Sequence, residues 1–98
     1  MTITNEKNNG QLIVTVEGRL DANTAPELES FLKENYEGIT ELILDFELLR
    51  YVSSAGLRVL LSAQKTMKKQ GKMKVIHVCP EIMEVFEITG FADVLTIE

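Results

Sequence analysis

Cysteine is nearly absent from the sequence: Cys79 stands alone, so no disulfide can form within the chain. We therefore expect a protein of a reducing compartment, the cytoplasm. No apolar run approaches the ~20 residues that a membrane helix needs. The N-terminal residues are polar and unlike a signal peptide. These absences argue against both a membrane protein and a secreted one.

Basic residues are also scarce: the 10 lysines and arginines are outnumbered by 15 aspartates and glutamates, which gives a net charge of −5. No basic stripe is visible along the chain, which argues against a nucleic-acid partner. Several lysines do cluster around one predicted helix end, where they complement the helix dipole. We interpret them as stabilising that helix rather than as an anion site. They are Lys65, Lys68, Lys69, Lys72 and Lys74.

The signatures of catalytic and metal sites are missing as well. The G-x-S-x-G elbow, the C-x-x-C zinc pattern and the phosphate-binding P-loop are all absent. A nucleophilic serine needs a base, and the only histidine, His77, falls in a predicted buried strand. We therefore predict a protein that is not an enzyme, with no catalytic residue, no metal site and no cofactor.

Hydrophobic periodicity predicts a single domain in which strands and helices alternate. Helices should begin at Thr24, near Ala55 and at Pro80, and end at Gly38, Gly71 and Gly90. Strands alternating with single helices form right-handed parallel crossovers. The fold class is therefore α/β, with a mostly parallel five-stranded sheet, an antiparallel pair at the N-terminal end and three main helices. The predicted strands are residues 2–4, 12–17, 42–46, 74–78 and 94–97.

The first helix has the clearest start signal. The run Thr24-Ala25-Pro26-Glu27 fits a capping box, in which the threonine hydroxyl and the glutamate carboxylate satisfy free N–H groups reciprocally. Proline is tolerated in that first turn. We expect this box to fix where the helix begins.

Two adjacent serines, Ser53 and Ser54, lie between the third strand and the second helix. In parallel α/β folds this edge is where ligands and partners usually meet the chain. One serine suffices as a helix cap, worth ~1 kcal/mol. Gly56 follows in the first turn, at a cost of about 1 kcal/mol relative to alanine. Its missing side chain leaves room for close approach, so a cap and a phosphate acceptor both remain open.

Two acids, Asp21 and Asp45, also follow predicted strands and should share the edge of the serines. Carboxylates in such loops most commonly bond their own backbone N–H groups. We accordingly expect both acids to shape their loops.

Three stretches of the chain resemble the STAS domain, and specifically the stand-alone bacterial anti-sigma factor antagonists. They are GRLDANTAPEL (18–28), LILDFELLRYVSSAGLRVLL (42–61) and PEIMEVFEITGF (80–91). The resemblance implies that residues 1–98 form one STAS domain. The central stretch is the most specific of the three.

The resemblance also implies a partner and a cycle. An unphosphorylated antagonist binds an anti-sigma factor, which is itself a serine kinase, and so releases the sigma factor. The kinase then inactivates the antagonist by phosphorylating a serine, and a PPM-type phosphatase, which is metal-dependent, restores it. Aligned on Gly56-Leu57, the acceptor is Ser54. The implied partner-binding residues are Asp21, Ser53, Ser54, Gly56 and Arg58.

The sequence departs from the family around the acceptor, where an acid commonly precedes it and this chain has Ser53, followed by Ala55. Ser53 is therefore the alternative acceptor. The alternative function is a non-phosphorylated STAS subunit of a transport or other signalling complex. A carrier protein with a serine-linked prosthetic group is a third hypothesis, but such carriers are helical and the predicted strands argue against it.

Overall fold

A computed structural model describes residues 1–98 and contains five strands and four helices. The strands are β1 (Thr2–Asn8), β2 (Gln11–Leu20), β3 (Glu41–Asp45), β4 (Leu49–Val52) and β5 (Lys72–Ile76). The helices are α1 (Ala25–Asn35), α2 (Ser54–Gln70), α3 (Pro80–Thr89) and the short α4 (Phe91–Val94). The predicted α/β class, the three main helices and four of the five predicted strands are confirmed.

The sheet has the order β1-β2-β3-β5, with β4 also pairing with β2. β1 and β2 are antiparallel, whereas the remaining pairs are parallel. The turn between β1 and β2 is made by Asn9 and Gly10, both at positive φ. This is the mostly parallel sheet with an N-terminal antiparallel pair that the sequence predicts.

The hydrophobic core lies between one face of this sheet and the helices. Along β2, residues Leu12, Val14 and Val16 are fully buried, while the intervening side chains are partly exposed on the opposite face. Because side chains alternate along a strand, this pattern places the core on one side only. From α2, the buried Leu60 and Met67 pack into the same cluster. No helix of the structure is both long and apolar enough to cross a bilayer.

The fifth strand is not the one that the sequence predicts. The sequence predicts no strand at the position of β4, yet β4 pairs with residues 18–20 of β2, with a register shift between Gly18 and Arg19. The predicted strand at 94–97 is wrong: Val94 ends α4, and Ile97 makes only an isolated bridge to Val75. β2 is long enough to pair with β3 along residues 11–15 and with β4 along residues 18–20. β4 is therefore a strand because of this pairing, which its own sequence does not indicate.

Candidate functional site

The two loops predicted to carry function meet because β2 and β4 are parallel neighbours. Leu20 pairs with Val52, so Asp21 and Ser53 follow the final residues of adjacent strands. The Ser53 N–H donates to the Leu20 carbonyl at 2.9 Å, which fastens the start of α2 to the end of β2. The structure therefore brings Asp21 and both serines to one edge of the sheet.

The two serines have different positions at the start of α2. Ser53 is the N-cap, with extended backbone, and its Oγ accepts a long hydrogen bond of 3.5 Å from the Gly56 N–H. Ser54 is the first helical residue and is exposed. The sequence left open which serine caps the helix, and the structure assigns that place to Ser53. The hydroxyl of Ser54 is consequently free of the cap and accessible from solvent.

Gly56 is buried beneath this edge rather than exposed on it. A Cβ at this position would lie 2.8 Å from Leu20 Cγ and 2.9 Å from Val52 Cγ2. The expectation that the missing side chain leaves room for a partner is therefore wrong, because the chain's own Leu20 and Val52 fill that space. Gly56 positions the helix start by letting α2 approach β2 and β4 closely.

Asp21 organises the loop between β2 and α1 through its carboxylate. Its Oδ1 accepts hydrogen bonds from the N–H groups of Asn23 at 3.0 Å and Thr24 at 3.1 Å. The Thr24 hydroxyl accepts from the Asp21 N–H at 2.9 Å and donates to the Arg19 carbonyl at 2.8 Å. Thr24 makes no side-chain cap bond to α1, so the predicted capping box is wrong. The loop is closed by Asp21 instead.

The same contacts set the charge of Asp21. Partial desolvation acts to raise the pKa of its carboxyl group, but the N–H groups of Thr24 and Asn23 and the nearby Arg19 outweigh it. The net result is a lowered pKa, since hydrogen bonds to a carboxylate favour its charged form. Asp21 therefore presents a negative charge at this edge at neutral pH.

Arg19 and Tyr51 extend the edge and were not predicted from sequence. The Arg19 guanidinium carbon lies 4.1 Å from the Tyr51 ring centroid, and its Nε lies 3.7 Å from Asp21 Oδ2. Tyr51 is 40% exposed, which leaves much of its ring available for contact. The pair forms because Arg19 and Tyr51 are register partners on β2 and β4. Only a prediction of β4 and its pairing could have revealed them.

Arg58 stands on the solvent side of α2, one helical turn after Ser54. It lines one end of a shallow surface groove that continues along the helix. We call Asp21, Ser53, Ser54 and Arg58 the serine edge.

The only histidine lies elsewhere and is not buried, contrary to the sequence prediction. His77 follows β5 with a left-handed φ of 58°, and its Nδ1 lies 3.0 Å from Asp45 Oδ1. Hydrogen bonding to Asp45 and the charge of that carboxylate raise the pKa of His77, with a smaller contribution from Glu47. One donor atom from each of the three residues lies within 4.8 Å of the others, but the Asp45–His77 bond accounts for this arrangement without an ion.

Asp45 shares the carboxyl end of the sheet with the serines, yet it ends a shorter strand. Its partner on β2 is Thr15, whereas the serine edge begins beyond Leu20. At ~3.3 Å per residue these two levels are separated by roughly 16 Å along β2. The predicted pair of acids is therefore divided between two places, and Asp45 belongs with His77.

Comparison with known proteins identifies the family. The sequence profile of the STAS domain matches residues 2–98. The chain belongs to the STAS domain family. BtrV of Bordetella bronchiseptica, a provisional anti-sigma factor antagonist, is 35% identical over 99 residues, covering 99% of this chain and 85% of BtrV. The anti-sigma-B factor antagonist of Listeria monocytogenes is 30% identical over 96 residues, covering 95% and 83% of the two chains.

A solved structure shares the fold of this STAS domain. The phosphorylated form of SpoIIAA, a Bacillus cell fate determinant, superposes with a TM-score of 0.77 and 17% identity. The alignment covers 99% of this chain and 91% of SpoIIAA. At this identity the likeness concerns the fold alone, which agrees with the family assignment.

Proposed function

We propose that this STAS domain is a phosphorylation-switched antagonist of an anti-sigma factor. In its unmodified state it binds the anti-sigma factor through the serine edge and so releases a sigma factor. The observation that carries the proposal is the exposed Ser54 at the first position of α2, next to a Ser53 that already caps the helix. The names of BtrV and of the Listeria relative support the antagonist role.

The switch would work through charge added at the start of α2. A phosphoryl group adds about −1.5 to −2 charges at pH 7 and three strong acceptor oxygens. Ser54 lies at the same edge of the sheet as Asp21, whose carboxylate is held in its charged form. A partner that accepts the unmodified edge would therefore meet added charge and a larger desolvation cost after phosphorylation. The helix N-terminus itself tolerates a phosphate, so the domain need not refold.

The chemistry of the cycle belongs to the partners in this proposal. The anti-sigma factor supplies the serine kinase activity with its ATP and divalent ion, and a PPM-type phosphatase removes the phosphate. The STAS domain itself acts in the cytoplasm as a binding protein without a cofactor, and it supplies the acceptor hydroxyl and the docking surface.

Phosphorylation can be tested on the intact chain. The protein is incubated with ATP and the anti-sigma factor kinase of the same genome, and the modified residues are mapped by mass spectrometry. We expect phosphate on Ser54, with Ser53 as the alternative. Ser62 is the matched control because it is also an exposed serine on α2. Phosphate on Ser62 alone, or none at all, would remove the switch from the proposal.

Binding can be tested separately by calorimetry with the same anti-sigma factor. Ser54→Asp should weaken binding by about tenfold or more, since a charge that faces a like charge across an interface opposes docking. Ser54→Ala should bind like the wild type, and Ser30→Asp, at an exposed serine of α1, controls for the added charge. Equal binding by all variants would show that the serine edge is not the docking surface.

The alternative is a non-phosphorylated STAS subunit of a transport or other signalling complex. The residues that favour it are Ser53 and Ala55, which replace the usual neighbours of the acceptor. Stable co-purification with a transporter ATPase, together with no phosphate on either serine, would decide for this alternative.

A further inference from the structure

The charge of α2 differs from that of the rest of the molecule. Its 17 residues include Arg58 and three lysines but no aspartate or glutamate, which gives a charge of +4. α1 has three glutamates and one lysine, for −2, and α3 has three glutamates and no basic residue, for −3. A chain of net charge −5 therefore concentrates positive charge on the one helix that begins at Ser54.

These cations have no carboxylate partner within the domain. The other long basic side chains that pair do so with nearby acids, as in Lys33–Glu29 at 3.8 Å and Lys74–Glu98 at 3.5 Å. No ion pair within 4.0 Å involves Arg58 or any α2 lysine. The helix dipole explains a preference for lysine only in the last turn, which holds Lys68 and Lys69. Arg58 and Lys65 stand too far from that end for the dipole to account for them.

The cations also form a shaped surface. A shallow depression of about 290 Å³ follows the solvent side of α2. Its lining residues recur at helical spacing, so they share one face of the helix. We call this surface the α2 groove, and its residues are Arg58, Leu61, Ser62, Lys65, Thr66 and Lys69. From Ser54 to Lys69 the face extends for about 22 Å, at 1.5 Å per residue.

We propose that the α2 groove binds an acidic segment of the partner protein, as a continuation of the serine edge. Three cations and two hydroxyls line the groove around a single apolar side chain, Leu61, which suits carboxylates better than an apolar anchor. The acidic α1 and α3 would repel the extended polyanionic backbone of a nucleic acid. The groove also lacks the row of exposed apolar side chains with which a helix inserts into a bilayer.

This proposal rests on the proposed function and gives the switch a physical target. A phosphate on Ser54 would stand one turn from Arg58, at the spacing where side chains on a helix pair. It would cancel about half of the +4 charge of α2 and occupy Arg58. An acidic partner segment would then lose its attraction along the groove as well as its contact at the serine.

The first experiment measures binding of the anti-sigma factor to the double variant K65E/K69E. Both residues lie in the groove and are remote from Ser54, so the acceptor is untouched. We expect at least about tenfold weaker binding and a reduced dependence on ionic strength. The matched control is K7E/K33E, which makes the same charge change at two exposed lysines outside α2. The control should bind within about twofold of the wild type. Circular dichroism confirms that all variants fold.

The possible outcomes separate this proposal from the one on which it rests. If K65E/K69E binds like the wild type while Ser54→Asp binds weakly, the groove proposal fails and the switch stands. Equal losses in K65E/K69E and K7E/K33E would also overturn it, because they would show an effect of net charge alone.

A second experiment does not need the anti-sigma factor. The ¹⁵N-labelled chain is titrated with a short glutamate-rich peptide, and chemical-shift changes are mapped by NMR. Changes confined to the α2 groove in the wild type, and lost in K65E/K69E, would support an acidic protein segment as the occupant. An absence of changes at millimolar peptide would overturn the proposal. Tighter binding to phosphatidylglycerol vesicles or to duplex DNA than to the peptide would equally overturn it, in favour of those ligands.

Discussion

Two places at the carboxyl end of the sheet look alike in sequence and differ in the structure. After β2, the Asp21 carboxylate accepts hydrogen bonds from N–H groups of its own loop, and Ser54 is exposed at the start of the helix that follows the neighbouring β4. At the end of β3, Asp45 reaches across to His77 from β5. Both acids lie at the carboxyl end of a strand that has parallel neighbours. The difference shows that the neighbouring strand, rather than the local sequence pattern, decides which groups such a carboxylate contacts.

The largest expected effect comes from a substitution at Gly56, because Gly56 sets how closely α2 approaches the ends of β2 and β4. Gly56→Val would put its side chain against Leu20 and Val52, where even a Cβ meets atoms at 2.8 and 2.9 Å. We expect a loss of roughly 2 to 3 kcal/mol in the free energy of unfolding, as for other overpacked sites. Chemical denaturation measures it.

Ser62→Ala, on the exposed side of the same helix, serves as the control for Gly56→Val and should change stability by no more than about 0.5 kcal/mol. If Gly56→Val were as stable as the wild type, the close contact between α2 and the two strands would be wrong.

Variants of the two serines test whether Ser53 caps α2 and Ser54 does not. Ser53→Ala removes the N-cap and should cost about 0.5 to 1 kcal/mol, at the low end for caps because the bond to Gly56 is 3.5 Å long. Ser54→Ala should leave stability nearly unchanged, since Ser54 does not cap the helix. Thermal unfolding of the two variants in parallel tests the assignment. A larger loss in Ser54→Ala would reverse it.

The contact between Asp45 and His77 can be tested by titrating His77. Its pKa should lie above the ordinary value of 6.5, because the hydrogen bond and charge of Asp45 favour the protonated ring. Asp45→Asn should lower that pKa, as followed by NMR of the imidazole protons. Asp21→Asn is the control, since Asp21 contacts Thr24 and Asn23 rather than His77.

The sign of the corresponding stability effect follows from the same shift. A raised pKa means that the folded state binds the proton more tightly than the unfolded state. The stabilisation by His77 is therefore complete below about pH 6.5 and is lost as the pH rises through the folded-state pKa. This is the smallest of the expected effects, because His77 is 56% exposed. A loss of this contribution on acidification instead would contradict the Asp45–His77 pairing.

Much of the fold could be predicted from the sequence because local signals agreed with tertiary structure. The buried alternation of β2 and the apolar face of α2 mark their elements without any knowledge of neighbours. β4 could not be predicted in this way, since its four residues include the exposed Arg50 and Tyr51. A strand so short depends on its partner, and that partner lies some thirty residues earlier in the chain.

The sequence by itself determined the α/β class, the position of the two serines at a strand-to-helix edge and the scarcity of catalytic groups. Only the tertiary structure decided that Ser53 caps α2 while Ser54 is exposed. It also decided that Leu20 and Val52 fill the space next to Gly56, and that cations of α2 line a groove. The physical reason is that periodicity and capping are local, whereas exposure and charge pairing depend on side chains that distant strands and helices bring near.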